Sequence, residues 1–248
     1  MAEVEFIGKC LFVESAGKKR ERILVIGDLH FGYGEVLEES GIALPTSLLS
    51  DVKKELDIIF DKLADEKKKI DKIVLLGDLK HEFGRVSREE WRDVSGFLEY
   101  LSDKCKEIVI VKGNHDVIIE PITRKKAVKV VEYLIAGECC FLHGDSDFLE
   151  ASGKGIKIWV VGHAHPAIVI RESKGVKAEK YKCFLDGKFK GKRVIIVPSF
   201  FPFMEGSDVR DFDLGLAWKF NFGDFEVRVV GVGSDLKVLD FGKLKNLK

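Results

Sequence analysis

Three short apolar runs, each followed by a glycine and polar residues, constrain the fold more than any other feature of the sequence. The runs Ile23–Ile26, Ile73–Leu76 and Ile108–Val111 have the continuous apolar character of strands that are buried on both faces. An amphipathic pattern predicts a helix over Thr46–Lys67, and a capping-box pattern predicts a second helix over Ser87–Leu101. Strands that alternate with helices predict a layered α/β protein with a largely parallel sheet.

The second half of the chain has a different pattern. From Ala127 onward, short β-rich runs alternate with turns rich in glycine, aspartate and lysine, which predicts a second sheet built mostly of hairpins. Because no repeat, low-complexity tract or proline- and serine-rich linker separates the two halves, we expect residues 1–248 to form a single domain. The predicted strands are Val128–Ala136, Cys139–Leu142, Ile158–Val161, Ala167–Ile170, Tyr181–Leu185, Val194–Val197, Leu214–Phe220 and Phe225–Val230.

The composition limits the classes of protein to which the chain can belong. Its 41 basic and 41 acidic side chains cancel, and a hydrophobic content of 46% excludes disorder as the main state. No apolar run is long enough to span a membrane, and the acidic start of the chain does not resemble a secretory signal, so we expect a cytoplasmic protein. The absence of glutamine and the abundance of lysine and glutamate predict a thermophilic source.

All six histidines lie in five short segments, each of which follows a predicted strand. A single histidine or aspartate at a strand end is usually a turn residue, but the joint pattern favours a ligand site at the carboxyl edge of a sheet. The five segments are Gly27-Asp28-Leu29-His30, Gly77-Asp78-Leu79-Lys80-His81, Gly113-Asn114-His115-Asp116, His143-Gly144-Asp145 and Gly162-His163-Ala164-His165-Pro166.

These segments offer carboxylate, amide and imidazole ligands but no thiolate, which favours a solvent-open catalytic metal site over a structural zinc site. Asp28 and His30 would point the same way in an extended backbone, as would His163 and His165. Asp78 has two carboxylate oxygens and can bridge two ions. The set predicts two divalent metal ions, which could be Mn²⁺, Fe, Zn²⁺ or Co²⁺, and we expect Mn²⁺ without deriving that choice from the ligands. The ligand candidates are Asp28, His30, Asp78, Asn114, His143, His163 and His165.

The order of the motifs DxH, GDxxH, GNHD, HGD and GHxH over residues 28–165 resembles the calcineurin-like metallophosphoesterases. Four longer stretches are similar to the archaeal phosphoesterases related to the repair nuclease SbcD and to their bacterial ligase-associated counterparts. The resemblance implies a sandwich of two sheets flanked by helices, an αββα arrangement. The stretches are Gly27-Asp28-Leu29-His30-Phe31-Gly32, Gly41-Ile42-Ala43-Leu44-Pro45, Gly77-Asp78-Leu79-Lys80-His81-Glu82 and Val197-Pro198-Ser199-Phe200-Phe201.

The resemblance also implies a role for each candidate residue. His115 is expected to meet the phosphoryl group and to protonate the leaving oxygen. Asp116 is either the residue that orients His115 or an ordinary exposed turn residue, and His81 is expected behind the ligands or against the substrate. By resemblance, Asp28, His30, Asp78 and His165 hold the first ion, and Asp78, Asn114, His143 and His163 hold the second.

Hydrolysis of a phosphoester substrate is the activity that this resemblance implies. A metal pair about 3.5 to 4 Å apart lowers the pKa of a water molecule and offsets the charge that builds up in an in-line displacement. We expect a phosphodiesterase that acts on nucleic acid or nucleotides. A non-catalytic metal-binding scaffold and a small-molecule phosphomonoesterase stay open as alternatives, and the sequence leaves the oligomeric state open.

Two segments bear on a nucleic-acid substrate. The basic run Arg124–Lys126 begins eight residues after Asp116 and could contact phosphates, although most basic runs in a chain without net charge are solvated faces. The segment Phe200–Met204 could stack a base, or it could wedge a loop against the core. The chain is shorter than expected for an SbcD-type nuclease with its DNA-capping domain, which weakens the case for DNA.

Overall fold

The strands of the first sheet include the three apolar runs that the sequence predicts. The computed structural model describes residues 2–17, 20–42, 47–124, 126, 128–171, 177–210, 214–233 and 235–247. The first sheet contains, in spatial order, β1 (Glu3–Ile7), β2 (Cys10–Glu14), β3 (Arg22–Ile26), β4 (Lys72–Leu75), β5 (Ile108–Val111) and β6 (Lys129–Val131). β1, β2 and β3 are antiparallel, whereas β3, β4, β5 and β6 run parallel, which confirms the predicted parallel sheet.

Helices cover one face of this sheet. They are α1 (Tyr33–Glu39), α2 (Leu48–Asp65), α3 (Arg88–Lys104) and α4 (Glu120–Arg124). The side chain of Ser47 caps α2, and a capping box between Ser87 and Glu90 starts α3 as predicted. Both long helices turn an apolar stripe toward the sheet. α1 was not predicted, because its seven residues are too few to show a helical period.

The second sheet is mixed. It contains β7 (Tyr133–Ala136), β8 (Cys139–Leu142), β9 (Ile158–Val161), β10 (Pro166–Arg171), β11 (Ala178–Phe189), β12 (Lys192–Ile196), β13 (Ser207–Asp208), β14 (Glu226–Val230) and β15 (Val238–Lys243). Hairpins join β7 to β8, β10 to β11, β11 to β12 and β14 to β15, as predicted. The centre differs, because β8, β9 and β12 are parallel neighbours. A strand that is buried on both faces is an apolar run whatever its direction, so the sequence did not reveal this pairing.

Two predicted strands differ from the structure. Val128–Ala136 is not one strand, because β6 pairs with the first sheet and β7 with the second, so the chain crosses between the sheets at Glu132. Leu214–Phe220, all of it described, forms no strand. Trp218 of this segment packs on Trp159, with 4.9 Å between ring centroids. Apolar residues that cover a sheet give the same signal as residues within a strand.

Within the part of the chain that the structure describes, three apolar cores hold the layers together. Residues such as Leu56 of α2 and Phe97 of α3 pack on the outer face of the first sheet. Both sheets contribute to the middle core, where Val74 and Phe141 are fully buried. The outer face of the second sheet packs against short 3-10 turns and the segment around Trp218. The architecture is the mixed α/β sandwich, with two sheets flanked by helices, that the sequence predicts.

Among the described residues, no helix has the length and apolar character needed to cross a bilayer. Parts of three sequence features lie outside the described residues, namely Thr46 at the predicted helix start, Ala43–Pro45 of a family-like stretch, and Lys125 of the basic run. The start of the first long helix can therefore be compared with its prediction only from Ser47 onward.

Candidate metal centre

Five loops meet where parallel strands of the two sheets end. Asp28 follows β3, Asp78 follows β4 and Asn114 follows β5, and these three strands are neighbours in the first sheet. His143 and His163 follow β8 and β9, which are neighbours in the second sheet. The carboxyl edges of both sheets thus meet at one place, the usual position of ligand sites in open α/β folds.

The first ligand group consists of Asp28, His30 and His165, whose ligand atoms all lie within 4.8 Å of one another. His165 Nε2 lies 3.2 Å from Asp28 Oδ1 and 3.3 Å from His30 Nε2. The Asp78 carboxylate reaches the same group, with its Oδ2 3.8 Å from His30 Nε2. The four residues predicted around the first ion are therefore together, and Asp28 and His30 are buried.

The second ligand group consists of Asp78, His143 and His163, again within 4.8 Å of one another. His143 Nε2 is its central atom, 3.4 Å from Asp78 Oδ2, 3.1 Å from Asn114 Oδ1 and 3.1 Å from His163 Nδ1. The four residues predicted around the second ion are therefore also together. Asp78 Oδ2 faces both groups.

The donor set of the two groups fits divalent metal ions. Carboxylate oxygens and imidazole nitrogens point at one another over short distances, an arrangement that a cation between them stabilises. His143 Nδ1 donates to the Leu76 carbonyl at 2.6 Å, which leaves Nε2 available as a ligand atom. His30 Nδ1 is buried without a hydrogen-bond partner, while its Nε2 faces the ligand groups.

The backbone at four of the predicted ligands is left-handed. The φ angles are 46° at His30, 49° at Asp78, 63° at His163 and 43° at His165. Residues with side chains rarely adopt this conformation, and such strain concentrates at functional sites. The assumption of extended backbones around these residues is therefore wrong. Left-handed turns after the strands turn these side chains toward one centre.

Glycine lets two of the loops approach each other. Gly77 has a φ of +87°, and a Cβ at this position would lie 2.6 Å from the Gly113 amide nitrogen and 2.7 Å from His143 Nδ1. A side chain at residue 77 would therefore clash with both neighbours. The close contact between the two sheets at this edge therefore requires a glycine before Asp78.

Burial and neighbouring charges shift the pKa values of two histidines in the site in opposite directions. Burial and the charge of His165 lower the pKa of His30 to about 3. Burial also lowers the pKa of His143, but the hydrogen bond to Asp78 and the charge of Asp28 outweigh it and raise the pKa to about 10. At neutral pH, His30 is therefore neutral, whereas His143 holds a proton that a bound metal ion would have to displace.

Metal binding should therefore release at least one proton per chain at pH 7.5. The binding constant of Mn²⁺ to chelator-treated protein should fall about tenfold per pH unit as the pH drops, because the proton on His143 competes with the metal. Calorimetric titration in buffers with different ionisation enthalpies measures the number of protons. An observed enthalpy that does not depend on the buffer would contradict the proton assigned to His143. Asp147→Asn is the control, because Asp147 is an exposed aspartate four residues after His143, and it should release the same number of protons as the wild type.

His115 lies at the border of the two ligand groups. Its Nε2 is 3.9 Å from Asp78 Oδ2, and its ring centroid is 4.9 Å from that of His30. His115 Nδ1 donates to the backbone carbonyl of His81, a contact that keeps Nε2 facing the ligands. Nε2 is thus the nitrogen that can exchange a proton with a group in the site.

Asp116 does not have the contacts expected of it. Its carboxylate is fully buried and accepts hydrogen bonds from the amides of Leu79 at 3.0 Å and Gly113 at 3.1 Å. Burial and the charge of Asp78 raise its pKa to about 7. Asp116 is therefore neither an exposed turn residue nor the partner of the His115 ring. It ties two of the ligand loops together through their backbones.

Glu90 holds the peptide that orients His115. Glu90 is fully buried, and its Oε1 accepts hydrogen bonds from the amides of His81 at 2.9 Å and Glu82 at 2.7 Å. Its Oε2 accepts from the Ser87 amide at 2.7 Å as part of the capping box. The sequence identified Glu90 only as a helix cap. Its second set of contacts links α3 to His115 through one peptide. The His81 ring also stacks on His115, and its place behind the ligands or against the substrate stays a prediction.

The segment Phe200–Met204 supports the first ligand group. Phe200 and Phe201 are fully buried, and their amides donate to the Asp28 carbonyl at 2.9 and 3.1 Å. These two residues wedge the loop against the core and do not offer a stacking surface. Phe203 of the same segment is 37% exposed, unlike the fully buried Phe200 and Phe201.

The described part of the basic run at residues 124–126 is paired with acidic side chains. Arg124 lies 3.0 Å from Glu120 Oε2, one helical turn earlier, and Lys126 lies 3.5 Å from Glu99 Oε2. These contacts favour a solvated face over a phosphate-binding site for this run.

Comparisons with known proteins identify the class of this chain. The sequence model of the family described as calcineurin-like phosphoesterase matches residues 21–223. The chain therefore belongs to the calcineurin-like phosphoesterase family and is a metal-dependent phosphoric ester hydrolase. The comparison with curated protein sequences gives no match.

A solved nuclease structure shares the fold of this chain at low sequence identity. The nuclease MPE of Pseudomonas putida superposes with a TM-score of 0.60 at 16% identity, over 97% of this chain and 100% of that chain. Vps29 of Entamoeba histolytica, solved with Zn²⁺, gives a TM-score of 0.38 at 14% identity, over 89% of this chain and 99% of that chain. At such identities, the similarity to the nuclease shows the fold alone.

Proposed function

We propose that the chain is a two-metal phosphodiesterase that uses Mn²⁺ and acts on nucleic acid or nucleotide phosphodiesters. The position of Asp78 carries this proposal, because its Oδ2 lies 3.8 Å from His30 Nε2 and 3.4 Å from His143 Nε2. One carboxylate oxygen faces two ligand groups, which is the arrangement expected of a bridging ligand. In this proposal, Asp28, His30, Asp78 and His165 hold one ion, and Asp78, Asn114, His143 and His163 hold the other.

The side chains of the site divide the chemistry between them. Divalent ions held by these residues would supply an acidified water and positive charge against the phosphate oxygens. His115 is the proposed proton donor, because its Nδ1 is occupied by the His81 carbonyl and its Nε2 faces the ligand groups. The proton on Nε2 goes to the oxygen of the departing alcohol, so that no alkoxide has to leave unprotonated. Asp116 and Glu90 are positioning residues that act through the backbone.

Hydrolysis of bis-p-nitrophenyl phosphate tests the proposal directly. Chelator-treated protein should be inactive and should regain turnover when two equivalents of Mn²⁺ per chain are restored. Preference for p-nitrophenyl phosphate over the diester would favour a phosphomonoesterase instead. A protein that binds two ions but hydrolyses no ester would be a metal-binding scaffold.

A nucleic-acid substrate predicts salt-dependent binding to single-stranded DNA. Each phosphate contact on a single strand contributes a slope of about −0.7 to the dependence of log Kobs on log salt. We therefore expect a slope of about −2 or steeper in anisotropy titrations of the Mn²⁺-loaded protein with a labelled, cleavage-resistant oligonucleotide. Arg124→Ala should leave this slope unchanged, because Arg124 is paired with Glu120. Absence of binding at about 50 mM salt, where phosphate contacts are strong, would remove the nuclease option.

A further inference from the structure

An exposed aromatic side chain lies directly against the proposed proton donor. The ring centroid of Phe83 is 3.8 Å from that of His115, with 32° between the ring planes. Phe83 is 54% exposed, so much of its ring surface is open to solvent. The His81 ring stacks on His115 as well, at 5.4 Å and 26°. His115 is therefore part of a stack of rings whose outer member faces the solvent.

Phe83 belongs to an apolar rim on two loops that meet at His115. We define this rim as Phe83, Val117 and Ile118, of which Val117 is 59% and Ile118 is 38% exposed. The two loops are joined by the Asp116 carboxylate, which accepts from the Leu79 amide, and by the contact between His115 and the His81 carbonyl. Exposed apolar side chains on loops beside a polar site are typical of ligand-binding surfaces.

The place of His115 decides which part of a substrate can touch this rim. His115 gives its proton to the leaving oxygen, so the group attached to that oxygen departs on the His115 side of the site. Because Phe83 packs on His115, this departing group lies within reach of the Phe83 ring. A sugar hydroxyl or a phosphate offers no flat apolar surface to such a ring, whereas every nucleobase does.

We propose that Phe83, the rim residue whose ring contacts His115, binds the nucleobase of the departing nucleoside by stacking. This inference rests on the proposed phosphodiesterase function and narrows it, because the preferred diester then carries a nucleoside on its leaving oxygen. Stacking does not read the edges of a base, so the subsite accepts all four bases with little preference.

Three dinucleotides test the subsite with the full-length Mn²⁺-loaded protein. One is thymidylyl thymidine. The second lacks the thymine of the 5′ nucleoside, and the third lacks the thymine of the 3′ nucleoside. The nucleoside released without phosphate identifies the leaving side. For the wild type, we expect kcat/KM to fall about 5- to 150-fold when the leaving-side base is absent, the range for loss of one base–aromatic stack. Loss of the other base should have a much smaller effect.

Variants of Phe83 separate stacking from support of His115. In Phe83→Ala, the ratio of kcat/KM between the complete dinucleotide and the leaving-side abasic analogue should fall toward one. Phe83→Trp should preserve a large ratio, because tryptophan offers a stacking surface at least as wide. Phe241→Ala is the matched control, since Phe241 is an exposed phenylalanine on β15, and it should keep the wild-type ratio.

Each other outcome has a defined meaning. Equal wild-type rates on all three dinucleotides would overturn the subsite. A Phe83→Ala variant that slows all three by the same factor would also overturn it, because Phe83 would then act only through His115. Hydrolysis of bis-p-nitrophenyl phosphate without hydrolysis of any dinucleotide would overturn the subsite and leave the phosphodiesterase proposal intact. Hydrolysis of no ester would overturn the proposed function itself.

Discussion

Replacing His115 by alanine should lower kcat for a dinucleotide by about 10²- to 10⁴-fold, the range for loss of a general acid. The reason is that Nε2 of His115 faces the two ligand groups, 3.9 Å from Asp78 Oδ2, and would protonate the departing alcohol. His115 is not one of the proposed ligands, so the metal content should stay at two ions per chain. Steady-state kinetics together with elemental analysis measures both quantities on the same sample.

The leaving group provides an internal control for this variant. The p-nitrophenolate of bis-p-nitrophenyl phosphate departs readily without a proton, so His115→Ala should lose less activity on this ester than on the dinucleotide. Equal losses on both esters would indicate that His115 contributes mainly to binding or to site geometry. An activity within a few-fold of the wild type on the dinucleotide would contradict its role as proton donor.

Replacing Asp78 by asparagine should remove activity more completely, by about 10³-fold or more on any ester. Asp78 Oδ2 faces both ligand groups, so the substitution removes the one negative charge that the two proposed ions would share. Metal ions in such pairs contribute several kcal/mol to the stabilisation of the transition state, which corresponds to this factor. Asparagine keeps an oxygen that can accept from the His115 amide, as Asp78 Oδ1 does at 3.0 Å, so the backbone contact should survive.

The metal content distinguishes this variant from His115→Ala. Asp78→Asn should bind less than one ion per chain under conditions where the wild type binds two. Asp147→Asn is the matched control, because Asp147 is an exposed aspartate in the loop after His143, and it should keep the wild-type content and activity. If Asp78→Asn retained two ions and most of the activity, Asp78 would not be the bridging ligand.

The grouping of the candidate ligand residues could be predicted because the sequence shows two signals for them. Each candidate follows an apolar strand, and the six histidines are confined to five short segments. Parallel strands place their carboxyl ends at one edge of a sheet, so Asp28, Asp78 and Asn114 had to lie near one another once β3, β4 and β5 were recognised. The structure brings the predicted residues into two ligand groups, and their binding of two ions stays a prediction.

The geometry of the site could not be predicted, because it depends on long-range contacts. The left-handed backbone at residues such as His30 and His165 is held by the surrounding loops and contradicts the local preference for φ below zero. His115 Nδ1 contacts the His81 carbonyl and not the Asp116 carboxylate. Every residue has a backbone carbonyl, so no sequence pattern could predict this contact. Glu90 fits the capping-box pattern at the start of α3, and that pattern does not indicate its additional contact with the His81 amide. Phe83 became visible only through its exposure and its contact with His115.

Anomalous diffraction from crystals of the wild type grown with Mn²⁺ tests the central claim most directly, namely that one carboxylate joins two metal sites. Two anomalous peaks about 3.5 to 4 Å apart are predicted. One should lie among Asp28, His30 and His165, the other among Asn114, His143 and His163, with Asp78 between them. A single peak, or peaks that Asp78 does not contact, would contradict the two-metal site.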